Sequence, residues 1–139
     1  MATHEANSTV AVTACASSAT ISSGKPMLFQ TIITSYGIQN TNSLTGAGLF
    51  TCEKPGLYFL LLTVLSHTRS SYFHIHVNSR YLVTLYTYSG SSNFTHSSSM
   101  SVAILLNKDD KVSVKPTMDT YVYGASNNQR TCITIVKIR

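Results

Sequence analysis

The chain has 139 residues and a formal net charge of +5, a length that fits one domain. Hydrophobic residues make up 43% and charged residues 11%, a balance that excludes intrinsic disorder. The ten Lys and Arg are scattered and only Lys108, Lys111 and Lys115 come close together, so the dense basic stripe of a nucleic-acid binder is missing. The longest apolar run, residues 57–62, is far short of a membrane span, and no membrane insertion is expected.

From the N-terminus, residues 1–8 read as a flexible lead into a single domain that takes up the rest of 1–139. The first nine residues lack the apolar core of a secretory signal. Either a signal was removed and a Met added, or the protein is cytosolic. Two acceptor triplets for N-glycosylation, at Asn7 and Asn93, favour a secreted protein. No long segment has helical periodicity. Short β-rich runs alternate instead with Ser, Gly, Asn and Pro, the pattern of an all-β sandwich or barrel. Nine strands are expected, at residues 9–14, 27–34, 48–52, 56–66, 72–78, 81–88, 97–106, 111–114 and 131–138. The breakers between them include residues 22–24, 54–56, 78–80, 89–92 and 107–110, with a long connection at 116–130.

The run Gly56-Leu57-Tyr58-Phe59-Leu60-Leu61-Leu62-Thr63-Val64-Leu65 is the most informative. Side chains alternate faces along a strand. Leu57, Phe59, Leu61 and Leu65 then share one face, and Tyr58, Leu60, Leu62 and Val64 the other. Antiparallel sheets usually keep one face polar. Both faces here are apolar, so one covers the core and the other needs a second cover. A subunit interface is the simplest one, and Tyr58, Leu60, Leu62 and Val64 are assigned to it.

Three cysteines occur, at 15, 52 and 132, with no CxxC pair to hold zinc. They allow one bridge and one free thiol, or three buried thiols.

Residues 29–112 carry a motif series. Phe29 is followed by Ser35 and Gly37. Gly48-Leu49-Phe50 is followed five residues later by Gly56-Leu57-Tyr58, then by Leu60 and Leu62. Residues 104–112, Ile-Leu-Leu-Asn-Lys-Asp-Asp-Lys-Val, end the series with Asp110 and Val112 in place. The series resembles the globular head domain of the complement C1q family, within the tumour-necrosis-factor-like jelly rolls. It departs from the pattern in a longer spacer between Gly37 and Gly48 and in a last strand that reads Cys132-Ile133-Thr134-Ile135-Val136. The resemblance implies a ten-stranded antiparallel jelly-roll β-sandwich that assembles as a homotrimer. It also implies that the first and last strands lie side by side, which would let Cys15 and Cys132 form a disulfide.

Several residues invite a chemical reading. His74 and His76 share a strand face with Tyr72, and with a third ligand they could hold a metal. The other reading is a polar outer face opposite Phe73, Ile75 and Val77, and no metal site is assigned. Asp109 and Asp110 could contribute to calcium binding, as in some members of the family, or form a turn between two strands. No cofactor is otherwise expected. Catalysis has little support, since no Gly-x-Ser-x-Gly elbow occurs and the acids form no spaced pair.

If successive strands run up and down, the loops at 66–71, 89–96 and 116–130 share one end. They bring His67, Arg69, Tyr88, Asn93, His96, Tyr121, Tyr123, Asn127, Asn128 and Arg130 together. Aromatic faces pack on sugar rings, amides bond to hydroxyls, and Arg grips a carboxylate. The set of residues suits a carbohydrate, an acidic one such as sialic acid best. A soluble, functionless loop surface is the plain alternative. The expectation is a secreted, non-enzymatic lectin that recognises carbohydrate on cells or microbes. A protein-binding ligand that engages a receptor between subunits is the second reading.

Overall fold

The computed structural model describes residues 8–68, 70–88, 95–124 and 130–139. Eleven strands and one short helix lie among them. In chain order they are β1 (Ala11–Cys15), β2 (Ala19–Ile21), β3 (Thr31–Tyr36), α1 (Asn42–Ala47), β4 (Phe50–Thr51), β5 (Gly56–Ser66), β6 (Ser70–Val77), β7 (Arg80–Tyr88), β8 (His96–Leu106), β9 (Lys111–Pro116), β10 (Thr120–Val122) and β11 (Cys132–Lys137). All nine expected strands form, most within two residues of the expected ends, although β3 starts four residues late. The additions are β2 and β10, which pair with each other, and α1, a single turn and a half.

Two sheets face each other. One has the order β3-β1-β11-β5-β8 and the other β4-β9-β6-β7. Every strand pair is antiparallel, and β1 lies beside β11, so the first and last strands meet in one sheet. The core between the sheets is one cluster that includes Val12, Phe29, Phe50, Tyr58, Leu60, Leu62, Phe73, Ile75, Val114, Ile133 and Ile135. Each fully buried aliphatic or aromatic side chain there contributes roughly 1.5–3 kcal/mol.

Two motif glycines have a backbone reason to be there. Gly48 closes α1 in the left-handed region, with φ 72°, and donates to the Leu44 carbonyl at 3.2 Å. Gly37 has φ 73°, and a Cβ on it would meet the Thr9 carbonyl oxygen at 1.8 Å. No residue with a side chain fits there without moving the backbone that leads into β1.

The alternation along β5 is as expected, but its two faces are exchanged. Tyr58, Leu60, Leu62 and Val64, assigned above to a subunit interface, are each 0% exposed and sit between the two sheets. Phe59 and Leu61 point outward and are 37% and 38% exposed. The reason lies in Tyr58. Its ring packs edge-on against Phe50, with centroids 6.0 Å apart, and its hydroxyl donates to the Lys54 carbonyl oxygen. That bond lets the phenol stay buried without an unsatisfied hydroxyl, which fixes the even-numbered set inside. The outward face continues across the sheet with Ala103 and Leu105 on β8, the latter 78% exposed, and with Val136 on β11.

The Cys15–Cys132 disulfide is formed, joining directly paired residues of β1 and β11. Cys52 is a buried free thiol. Its Sγ lies 3.3 Å from the Lys54 carbonyl and 3.8 Å from the Tyr58 hydroxyl.

Candidate functional site

Register alone brings the expected loops together. The last residue of β5, Ser66, pairs with the first of β8, His96. The first residue of β6, Ser70, pairs with the last of β7, Tyr88. The Tyr123 amide donates to the Leu65 carbonyl at 2.9 Å, and the Leu65 amide donates to Thr131 Oγ1 at 3.0 Å. The ends of β5, β7 and β10 and the starts of β6, β8 and β11 therefore lie at one end of the sandwich, here termed the crown.

The crown's visible centre is an aromatic trio. The His67 ring stacks on Tyr121 with centroids 4.9 Å apart and planes 23° from parallel. Tyr123 meets His67 edge-on at 5.6 Å and Tyr121 edge-on at 5.1 Å. All three are half-buried, so each presents part of its ring to solvent. Pairs in these geometries are worth about 0.5–1.5 kcal/mol each beyond burial. Hydrogen bonds from below hold the trio. The Tyr121 amide donates to Thr68 Oγ1 at 3.0 Å, and the Ser66 hydroxyl donates to the Tyr121 carbonyl oxygen. Ser71 and Thr120 share a buried hydroxyl pair beneath.

Of the expected site residues, His67, Tyr121 and Tyr123 are in mutual contact. Arg130 is exposed beside Thr131 at the same end. Tyr88 reaches it through its backbone pairing. His96 differs. It lies on the inward side of β8, with Met100, Ile104 and Leu106, and both ring nitrogens are buried without a hydrogen-bond partner. Its ring nitrogens therefore offer no hydrogen bond at the crown surface. Arg69, Asn93, Asn127, Asn128 and the acceptor Asn7 lie outside the described residues. The supporting hydroxyls of Ser66, Thr68, Ser71 and Thr120 were not foreseen, because a serine at a strand end carries no local sign that it will brace a distant loop.

The other chemical candidates sit elsewhere. His74 and His76 share the outer face of β6 with ring centroids 6.0 Å apart, and their nearest ring is Tyr81. Among the described residues, no three His, Cys, Asp or Glu side chains group to hold a metal. Asp109 and Asp110 build the turn before β9. Asp109 takes a positive φ, and Asp110 accepts the Asn107 amide at 2.8 Å and Asn78 Nδ2 at 3.1 Å. The Asn107 amide, then the Asn78 side chain, hold the Asp110 carboxyl below the usual range.

A family model described as C1q domain matches residues 9–134. The chain belongs to the C1q domain family. The C1q domain also has the fold of several solved structures, at identities that speak for the fold alone. The globular domain of zebrafish complement 1qA superposes with a TM-score of 0.67 at 16% identity, over 94% of this chain and 98% of that one. Murine APRIL superposes with a TM-score of 0.69 at 15% identity, over 94% and 99%. Eiger TNF from S. frugiperda superposes with a TM-score of 0.69 at 13% identity, over 94% and 93%. No curated protein sequence matches this C1q domain at a significant level.

Proposed function

We propose that the chain is a secreted, non-enzymatic recognition module that assembles as a homotrimer and binds carbohydrate, an acidic glycan best, at its crown. The aromatic trio carries the reading: His67, Tyr121 and Tyr123 form a half-buried cluster of packed rings at the end of the sandwich where β11 begins, and Arg130, the exposed residue before Thr131, lies at that same end. Half-exposed ring faces suit the apolar face of a sugar, and a guanidinium suits its carboxylate. The outward apolar face of β5 and β8 supports assembly, since a second copy would cover Phe59, Leu61 and Leu105. Three copies would present three equal crowns, raising weak single-site affinity by avidity. The disulfide supports an oxidising compartment. No helix among the described residues is long and apolar enough to cross a membrane.

The test is a glycan array probed with the intact protein and with Tyr121→Ala and Arg130→Ala. Selective binding to sialylated glycans should fall on the order of tenfold for Tyr121→Ala, the loss of one stacked ring. Arg130→Ala should lose the preference for sialylated over desialylated forms. An array that stays blank while the protein engages a purified receptor would overturn the sugar reading and favour a protein ligand of the C1q and tumour-necrosis-factor type.

A further inference from the structure

The sheet β4-β9-β6-β7 carries a second ring surface on its outer face. Tyr72 pairs across the strands with Tyr86, His74 with Thr84 and Lys115, and His76 with Tyr81 and Ser113. The rings form two groups along β6: Tyr72 with Tyr86 at 4.7 Å between centroids, and His74 with Tyr81 at 4.4 Å and with His76 at 6.0 Å. Tyr72, Tyr81 and Tyr86 are 48%, 51% and 45% exposed, so about half of each lies open. The neighbouring apolar residues, Phe73, Ile75, Val77 and Leu85, all point into the core. What faces outward among the described residues is aromatic, imidazole, hydroxyl and amine, with no carboxylate set among the rings.

We propose that this face is a second binding surface, apart from the crown, which takes an acidic polysaccharide laid along β6. Its sugar rings would lie on Tyr72, Tyr81 and Tyr86, and its carboxylate or sulfate groups would meet Lys115. The charge pattern selects the occupant: the rings have a cation beside them and no anion, so a chain with negative groups gains what a neutral chain does not. A protein partner would ordinarily meet aliphatic anchors as well as rings, and none is offered here. A single-stranded nucleic acid is held by a positively charged groove that tracks its backbone, and the rings have one cation beside them in place of such a groove.

Acidification adds a second handle, because imidazoles gain charge as the pH falls. The titratable groups facing them are Tyr72 on β6, Tyr81 and Tyr86 on β7 and Lys115 on β9. Arg80 and Lys111 lie at the far strand ends, and Asp110 is tied to Asn78 there. Burial first, then Lys115 and His74, keep His76 below the ordinary imidazole range, so its charge arrives late in the descent.

The experiment is affinity electrophoresis of the intact protein in gels cast with polygalacturonate, with neutral galactan, or with no polymer. Polygalacturonate should retard the protein and galactan much less, and retardation should grow from about pH 7.5 to about pH 5.5. The Tyr72→Ala, Tyr81→Ala double variant should bind on the order of tenfold more weakly, and these rings are too exposed for their loss to open the core. In a Tyr121→Ala, Arg130→Ala background, which removes the crown's share of acidic binding, Lys115→Gln should abolish the remaining preference for the acidic polymer and leave any neutral binding intact. Equal retardation in both polymers, indifference to both surface variants, or tighter binding of an oligothymidylate would overturn the proposal.

Discussion

At the scale of single residues, buried Cys52 and Tyr58, with the Lys54 carbonyl between them, show how polar groups are kept inside this core. Tyr58 is fully buried because its hydroxyl donates to the Lys54 carbonyl, and Cys52 sits where it can share both groups. Burial raises the Tyr58 phenol above its usual range, with Cys52 adding to the effect. The Cys52 thiol is raised too, chiefly by burial, against the lowering pull of its bond to Tyr58. A raised, enclosed thiol is a poor nucleophile. With iodoacetamide near neutral pH, the native protein should therefore show no labelling in a time that fully labels the unfolded chain. Under unfolding but non-reducing conditions, mass spectrometry should count one alkylated cysteine per chain. The sequence left open whether the three cysteines were all free, because pairing depends on which strands are neighbours. It did place Cys52 on an apolar strand, which is the local half of the answer.

At the scale of elements, β1 and β11 are joined twice, by their hydrogen-bond ladder and by the disulfide, with Thr13 and Thr134 hydroxyls 2.8 Å apart two pairs further along. The two cysteines are 117 residues apart in sequence. Closing so long a loop restricts the unfolded chain, and replacing the pair by Cys15→Ser and Cys132→Ser should cost about 2–5 kcal/mol. The measurement is the guanidinium midpoint of the double variant against the oxidised parent. An unchanged midpoint would mean that the ladder alone holds the chain's ends. Most strands were legible from β-rich runs and breakers, since those signals are local. The three-residue strands β2 and β10 were not, because each exists only as the other's partner, with Thr120 opposite Ile21 and Val122 opposite Ala19. The helix α1 was missed for a similar reason. Its six residues include one buried side chain, Leu44, which is too few for a periodic pattern.

At the scale of the whole molecule, the decisive feature is β5, apolar on both faces. The two faces should respond oppositely to substitution. Leu62→Ala removes a fully buried side chain and should cost about 2–5 kcal/mol in stability, read as a lowered denaturation midpoint. Phe59→Glu places a charge on the outward face, and should split the assembly into monomers by light scattering while the midpoint of the isolated chain changes little. A parent that is already monomeric at micromolar concentration would defeat the trimer proposal. Sequence by itself determined the class of fold, the position of nearly every strand and the existence of two apolar faces on one strand. It also foresaw that the ends of β5 and β7 lie at the same end of the sandwich, because alternation and strand direction follow from backbone geometry alone. Only the tertiary structure decided which face of β5 lies inside, that Cys15 meets Cys132, and that His96 turns inward while His67 stacks with two tyrosines. Those outcomes depend on contacts between residues far apart in the chain, and no local pattern encodes which distant partner a side chain will meet.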